Sequence, residues 1–195
     1  RRLHFYTLGQ PRLKAAQALL KYATSAEAQK IVADSQFVDQ TIAALPFSAQ
    51  TARIVHALGA GGPIDDIGQM RQLIADLGEA RRLSLTVRFG AGSSELDAKS
   101  RQDVVRLAEL LKTPELRGRS ITLAGFTDGS GGAAQNTSIS LRRAQQLRAV
   151  LLALSGEKAL QRLVVAKGYG TLSPVACNDS EDGQRLNRRV EIWVH

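Results

Sequence analysis

The second half of the sequence predicts an α+β fold, a two-layer sandwich of βαβαββ order in which a mixed sheet carries helices on one face. A mostly helical fragment precedes it. Three observations carry this prediction. Strand-like apolar stretches stand at residues 83–89, 121–126, 163–166 and 190–194, alternating in the first and last and roughly so in the second. Helically spaced apolar residues fill the intervals between the first three of these stretches. Ahead of them, residues 11–35 and 64–82 show helical spacing.

In chain order, LHFYTL at residues 3–8 reads as a short strand. Pro11 suits the first turn of a helix with Leu13, Ala16, Leu19 and Leu20 as its apolar positions. Thr24 with Glu27 forms a capping-box pattern that opens a second helix to about Ser35. The segment 46–63 holds breakers at Gly59, Gly61, Gly62 and Pro63 and is expected to be a domain boundary. From Ile64 to Arg82 an amphipathic helix is predicted, with Ile67, Met70, Ile74 and Leu77 on one side and Asp65 and Asp66 near its positive end. Such a stripe is costly to leave wet, so docking on the following domain is expected. The division drawn is 1–50, a linker and helix over 51–82, and a domain over 83–195.

The domain opens with LSLTVRF, alternating as a strand. Residues 93–97 cap a helix whose inner face is Val104, Leu107, Ala108 and Leu111, and Pro114 stops it. ITLAGFTDGSGG then reads as a strand that ends on Asp128, followed by a glycine-rich loop. Asn136 is the expected N-cap of the next helix, in which Ile139, Leu147, Val150, Leu151 and Leu154 mark the buried face. In the last strand Val190, Ile192 and Val194 point one way, and Glu191 and Trp193 the other.

Arg143 lies on the apolar stripe, four residues after Ile139 and four before Leu147. A buried guanidinium needs a partner, because an unpaired buried charge is expensive. Asp128 is the nearest acid that the geometry can bring round. Two readings stand. Asp128 and Arg143 form an internal ion pair that holds helix on strand, or they face a shared cleft and receive a ligand bearing both an ammonium and a carboxylate.

The bulk properties bound the partners. Formal net charge is +8, and it is uneven: residues 1–80 carry 8 basic and 7 acidic side chains, residues 81–195 carry 18 and 11. A basic second half suits an anionic polymer. The arginines there are scattered and the aromatics Phe89, Phe126, Tyr169 and Trp193 are not clustered, so no nucleic acid partner is expected. No apolar run approaches the ~20 residues that cross a bilayer. The single cysteine, Cys177, sits in a polar loop and cannot make an internal disulfide. His4, His56 and His195 show no ligand spacing, so no metal or cofactor is expected. No Gly-x-Ser-x-Gly elbow marks a hydrolase, and no Gly-Lys-Ser/Thr follows the GSGG loop. The chain opens Arg1-Arg2 without methionine and reads as a piece of a longer protein.

Several separated blocks then carry a resemblance. GFTDGSG, NTSISLRRAQQL and GYGTLSPVACNDSEDGQRLNRRVEIWV, in that order, resemble the peptidoglycan-binding domain of the OmpA family, shared with peptidoglycan-associated lipoprotein and the flagellar stator proteins. The resemblance covers about residues 83–195 and matches Gly125, Thr127, Asp128, Asn136, Ser140, Arg143, Ala144, Gly168, Gly170, Pro174, Asn187, Arg188, Arg189 and Val190. It implies noncovalent binding of peptidoglycan, no catalysis, and a place in the periplasm or cell envelope, with outer-membrane association. It also implies that Asp128 and Arg143 hold the amino and carboxylate groups of diaminopimelate, with Thr127, Asn136 and Ile139 around them. Of the Arg188-Arg189 pair at the start of the last strand, Arg188 is the candidate for ligand contact, and an internal salt bridge is the alternative reading. Phe126 stands where the family has histidine, and Ile139 where it has leucine. The family's aromatic-plus-aspartate pair is replaced by Ala91 and Gly92, so Gly92 and Ser93 are expected to serve through backbone amides. RRLHFYTL and KYATSAEAQKIVADSQFVDQ resemble the closing part of a phosphate-type periplasmic solute-binding protein, with Gln36 where glycine is common. The phosphate-contacting segments of such a protein are absent, so no phosphate site is assigned to residues 1–50.

Overall fold

The computed structural model describes residues 5–53, 55, 67–93, 95, 96 and 98–195. They fall into two compact units, Arg1–Ile42 and Ala43–His195. Residues 43–50, drawn with the N-terminal fragment on sequence grounds, go with the second unit because Ala44–Leu45 pairs there with a sheet strand.

The first unit holds helices α1 (Lys14–Ala23) and α2 (Ala26–Asp34). The strand expected at residues 3–8 does not form over 5–8, where Phe5, Tyr6 and Leu8 are exposed rather than packed in a sheet; residues 3 and 4 lie outside the described residues. The cap of α2 is Ser25, whose hydroxyl accepts from the Ala28 amide at 3.3 Å, rather than Thr24. Thr24 instead closes α1 and donates back to Leu20 and Lys21 carbonyls. Gln36 takes φ 63°, in the left-handed region, and the amides of Gln36 and Phe37 bond back to Ala33 and Val32, a helix stop that usually employs glycine.

The second unit is a five-stranded mixed sheet. Its strands are β1 (Ala44–Leu45), β2 (Arg81–Arg88), β3 (Ile121–Phe126), β4 (Val164–Gly168) and β5 (Arg189–Val194), in spatial order β1-β2-β5-β3-β4. All pairs are antiparallel except β3 with β4. The helices are α3 (Ile67–Leu77), α4 (Ala98–Leu110), α5 (Ala133–Ser155), α6 (Leu160–Leu163) and α7 (Glu181–Asn187). From β2 onward the order is the predicted βαβαββ, with α6 and α7 as short additions and β1 as an unforeseen edge.

The two faces of the sheet are covered differently. Ile121, Leu123 and Gly125 of β3 stand opposite Val194, Ile192 and Val190 of β5. This face receives α5, which comes so close that a Cβ on Gly125 would sit 2.0 Å from the Ser140 carbonyl oxygen. The predicted inner face of α4, Val104, Leu107, Ala108 and Leu111, is buried. On the other face Ala124, Phe126 and Trp193 cluster with Met70, Leu73 and Leu77 of α3, so helices lie on both faces rather than one. Every residue of β3 and β5 is consequently buried, and neither strand is half-exposed.

The α3 stripe differs from the predicted one. Met70, Leu73 and Leu77 are buried, whereas Ile67 and Ile74 are 55% and 40% exposed. The helix ends at Leu77, and Arg81 and Arg82 belong to β2. Asp65, Asp66 and the glycines of the predicted boundary lie outside the described residues. Asp76 ties α3 down: it accepts from the Tyr169 hydroxyl at 2.8 Å and pairs with Lys167 at 2.6 Å. Burial opposes the charge on Asp76, yet its bonds from Lys167, Tyr169 and Gln72 hold its carboxyl below the usual range.

Candidate functional site

A cleft of about 430 Å3 opens where the C-terminal end of β3 meets the first turns of α5. Its lining includes Gly92, Ser93, Thr127, Asp128, Asn136, Ile139, Arg143 and Arg188, so the structure brings all eight sequence-selected residues together.

Helix placement aims the charged groups. Glycine at 125 and at 168 lets α5 lie directly on β3 and β4; a Cβ at 168 would come within 2.6 Å of the Thr137 carbonyl oxygen. The Ser140 hydroxyl donates to Thr137 O and accepts from the Gly170 amide at 3.0 Å, locking helix to loop. The buried stripe of α5 therefore centres on Ser140, Ala144, Leu147 and Leu151, while Leu154 is exposed and Val150 half-buried, against expectation. Asn136 is not the N-cap. The helix starts at Ala133 after Gly132, because Ala133, Ala134 and Gln135 all favour helix, and the Asn136 amide side chain donates to Gly131 O at 3.3 Å.

Asp128 and Arg143 do not pair with each other. Asp128 Oδ2 accepts from Arg188 Nη1 at 2.6 Å, and Oδ1 accepts from the amide and the hydroxyl of Ser130. Burial opposes the Asp128 charge, but Ser130 and Arg188 outweigh it and hold the carboxyl below the usual carboxylate range. Arg143 is 3% exposed. Its Nε donates to Ser93 O at 3.2 Å, one Nη to Gly90 O at 3.3 Å, and its guanidinium lies 5.7 Å from the Phe89 ring centroid. Nη1 has no hydrogen-bond partner among the described residues. Burial, with the Arg188 charge adding to it, lowers the Arg143 pKa, and Asp128 offsets part of that. The internal ion pair that spacing allowed is thus replaced by Asp128–Arg188, while Arg143 rests on neutral carbonyls.

The Gly90–Ser93 loop departs from its expected role in part. Gly92 has φ 63° and serves the turn, but the Ser93 amide donates to Gly90 O at 3.3 Å and is occupied. What Ser93 contributes is its carbonyl, which orients Arg143. Thr127 is buried; its amide donates to Gly170 O at 2.8 Å and its hydroxyl has no partner among the described residues. Phe126 is core rather than cleft, stacked 5.8 Å from Tyr169 and 4.1 Å from the Arg189 guanidinium. Arg189 itself is internal and binds Glu191 at 2.7 Å.

Ser130, Arg142 and Gln184, which the sequence does not single out, also line the cleft. Ser130 had a signal: an aspartate two residues before a serine amide is an Asx-turn pattern. So did α7, which carries Gln184 and delivers Arg188. Ser180 followed by Glu181 and Asp182 is a helix start, and its hydroxyl does accept from Gly183 N at 3.1 Å. Arg142 sits beside Arg143 on the exposed side of α5, and its reach to the cleft is a matter of tertiary placement.

Comparison with known proteins bears on the same residues. Outer membrane porin F of Pseudomonas aeruginosa is 37% identical over 116 residues, covering 60% of this chain and 32% of that protein. Peptidoglycan-binding protein ArfA of Mycobacterium tuberculosis is 30% identical over 112 residues, covering 56% of this chain and 32% of the relative. The chain spans about a third of the length of these curated relatives. Among solved structures, peptidoglycan-associated lipoprotein from Burkholderia pseudomallei matches with a TM-score of 0.51 at 22% identity, covering 69% of this chain and 100% of that one, a likeness of fold. The C-terminal domain of Helicobacter pylori MotB matches with a TM-score of 0.50 at 25% identity, covering 57% of this chain and 84% of that one. The family model described as "OmpA family" matches residues 88–188, which run from the end of β2 through Arg143 and α7 to Arg188, and the chain belongs to that family.

Proposed function

We propose that the second unit binds peptidoglycan noncovalently, through the diaminopimelate of its stem peptide, and so attaches an envelope protein to the cell wall. The observation that carries this reading is that Asp128 and Arg143 line one cleft without bonding to each other. Asp128 keeps its charge and retains lone-pair capacity beyond Ser130 and Arg188 for an incoming ammonium. Arg143 is held in place by two carbonyls and has an unused Nη1 for a carboxylate. The relatives named for peptidoglycan binding and for the outer membrane support the same partner and a periplasmic or envelope location. The groups in the cleft bind and orient; none is arranged as a nucleophile beside a general base, and no catalysis is assigned.

For residues 1–42, the part of the 1–50 segment that stays in the first unit, we propose the closing part of a solute-binding domain, favoured by the exposure of Leu8, Leu13, Leu19 and Ile31 on so short a unit. The domain proper is then the segment from residue 83, with 51–82 as its lead-in and docked helix.

The test is retention on diaminopimelate-containing sacculi. Asp128→Ala and Arg143→Ala are expected to abolish retention with the circular-dichroism spectrum unchanged, and retention of both at the unsubstituted level defeats the proposal. Phosphate binding by the longer protein, with no affinity for sacculi, would favour transport-linked solute capture instead.

A further inference from the structure

We infer that the mouth of the cleft holds a second carboxylate subsite on Arg142, which takes a peptide carboxylate additional to the one on Arg143. This rests on the wall-peptide reading above and extends it to the ligand's neighbouring residues. The charged lining is three guanidiniums, those of Arg142, Arg143 and Arg188, against the one carboxylate of Asp128. Asp128 neutralises Arg188 at 2.6 Å. A zwitterionic head adds no net charge, so with it bound the lining keeps its positive excess. An occupant that balances the cleft must carry more carboxylates than ammoniums.

Arg142 is the group placed to meet the extra charge. It is exposed, lines the cleft, and makes no hydrogen bond or ion pair among the described residues. Arg143, the next residue on α5, is turned inward onto Ser93 and Gly90 carbonyls. The two guanidiniums therefore serve depth and rim of one wall. A cleft of about 430 Å3 also takes more than a single amino-acid head, since pockets of roughly 300–1,000 Å3 bury ligands of drug size. In a γ-linked wall peptide, second carboxylates come from two sources: the α-carboxylate of the D-glutamate beside the diamino acid, or the peptide's C-terminus.

The experiment measures binding of the 195-residue chain to three soluble muropeptides: the free acid, one amidated at the D-glutamate α-carboxylate, and one amidated at the C-terminus. One amidation is expected to weaken binding on the order of 3- to 5-fold, the scale of an exposed ion pair, and the arm that loses affinity identifies the source. With Arg142→Gln that difference vanishes, whereas a merely structural role for Arg142 would lower all three affinities equally. Equal binding of all three by the unsubstituted chain, or a preference that survives Arg142→Gln, overturns the inference. Free diaminopimelate, titrated in parallel, separates this from the parent reading. If it binds while amidation has no effect, only the second subsite fails; if it does not bind while the Arg142-dependent preference persists, only the diaminopimelate assignment fails.

Discussion

Arg188 reaches 60 residues back along the chain to place Nη1 2.6 Å from Oδ2 of Asp128, with each side chain 9% exposed at the floor of the cleft. Two segments, the end of β3 and the start of β5, are thereby joined at the carboxylate to which the proposed function assigns the ligand ammonium. The bond fixes the carboxylate's orientation and, with Ser130, keeps it ionised against the cost of burial.

Arg188→Gln is therefore expected to raise the Asp128 pKa, since it deletes the cation while leaving a donor of similar length. A carboxyl-carbon NMR titration reads this directly, and an unmoved titration would remove Arg188 as a cause. Sacculus retention should weaken in the acid range first, where the less strongly held carboxylate begins to protonate. The linkage has the usual sign for a depressed acid: the pair's stability is present above the ordinary 3.8 and is lost as pH falls through the lower folded value.

Gly125→Ala tests how closely α5 must approach the sheet. The added Cβ would meet backbone, 2.0 Å from Ser140 O, so no side-chain rotation relieves it. A loss of about 2–4 kcal/mol in denaturant unfolding is expected, with binding impaired because Arg143 rides on the same helix. An alanine variant of full stability would mean that α5 can shift without cost.

Glu191 is wholly buried in a nest of guanidiniums: Arg189 at 2.7 Å, Arg53 at 2.7 Å, and Arg82 farther off. Burial alone would push its carboxyl up; these cations bring it down to about 2 from an ordinary 4.5. Stability from this group is thus complete above about 4.5 and drains away as pH falls toward 2. Glu191→Gln should lower stability at neutral pH by about 3–5 kcal/mol, because it leaves buried cations uncompensated, and should flatten the acid limb of the stability curve. Urea midpoints measured from pH 6 to pH 2 check both parts; an unchanged acid limb would assign that limb to Asp76 and Asp128 instead.

Much of this architecture is legible in the sequence because the hydrophobic period is strong: the inner face of α4 and the main strands stand where alternation and helical spacing put them. Features that depend on distant partners are not legible. β3 and β5 look half-exposed by alternation, yet α3 covers their second face. β1 is two residues long and exists only because β2 offers an edge. The acid and arginine of the cleft could be named from spacing and resemblance, but not the pairing, since nothing local says that Arg188 rather than Arg143 reaches Asp128.

The α3 stripe offers the sharpest contrast between pattern and packing, because Leu73 and Ile74 are both apolar and a helical period alone cannot choose between them. The structure chooses Met70, Leu73 and Leu77, which meet Phe126, Tyr169 and Trp193, and leaves Ile67 and Ile74 partly exposed. Leu77→Ala should then cost about 2–5 kcal/mol, as a fully buried leucine opens a cavity against the sheet. Ile67→Ala should fall within about 0.5 kcal/mol of the unsubstituted chain. Chemical denaturation of both variants decides the matter: equal losses would restore the stripe predicted from spacing and rotate α3 by roughly one residue's turn, with Asp76 carried away from Tyr169.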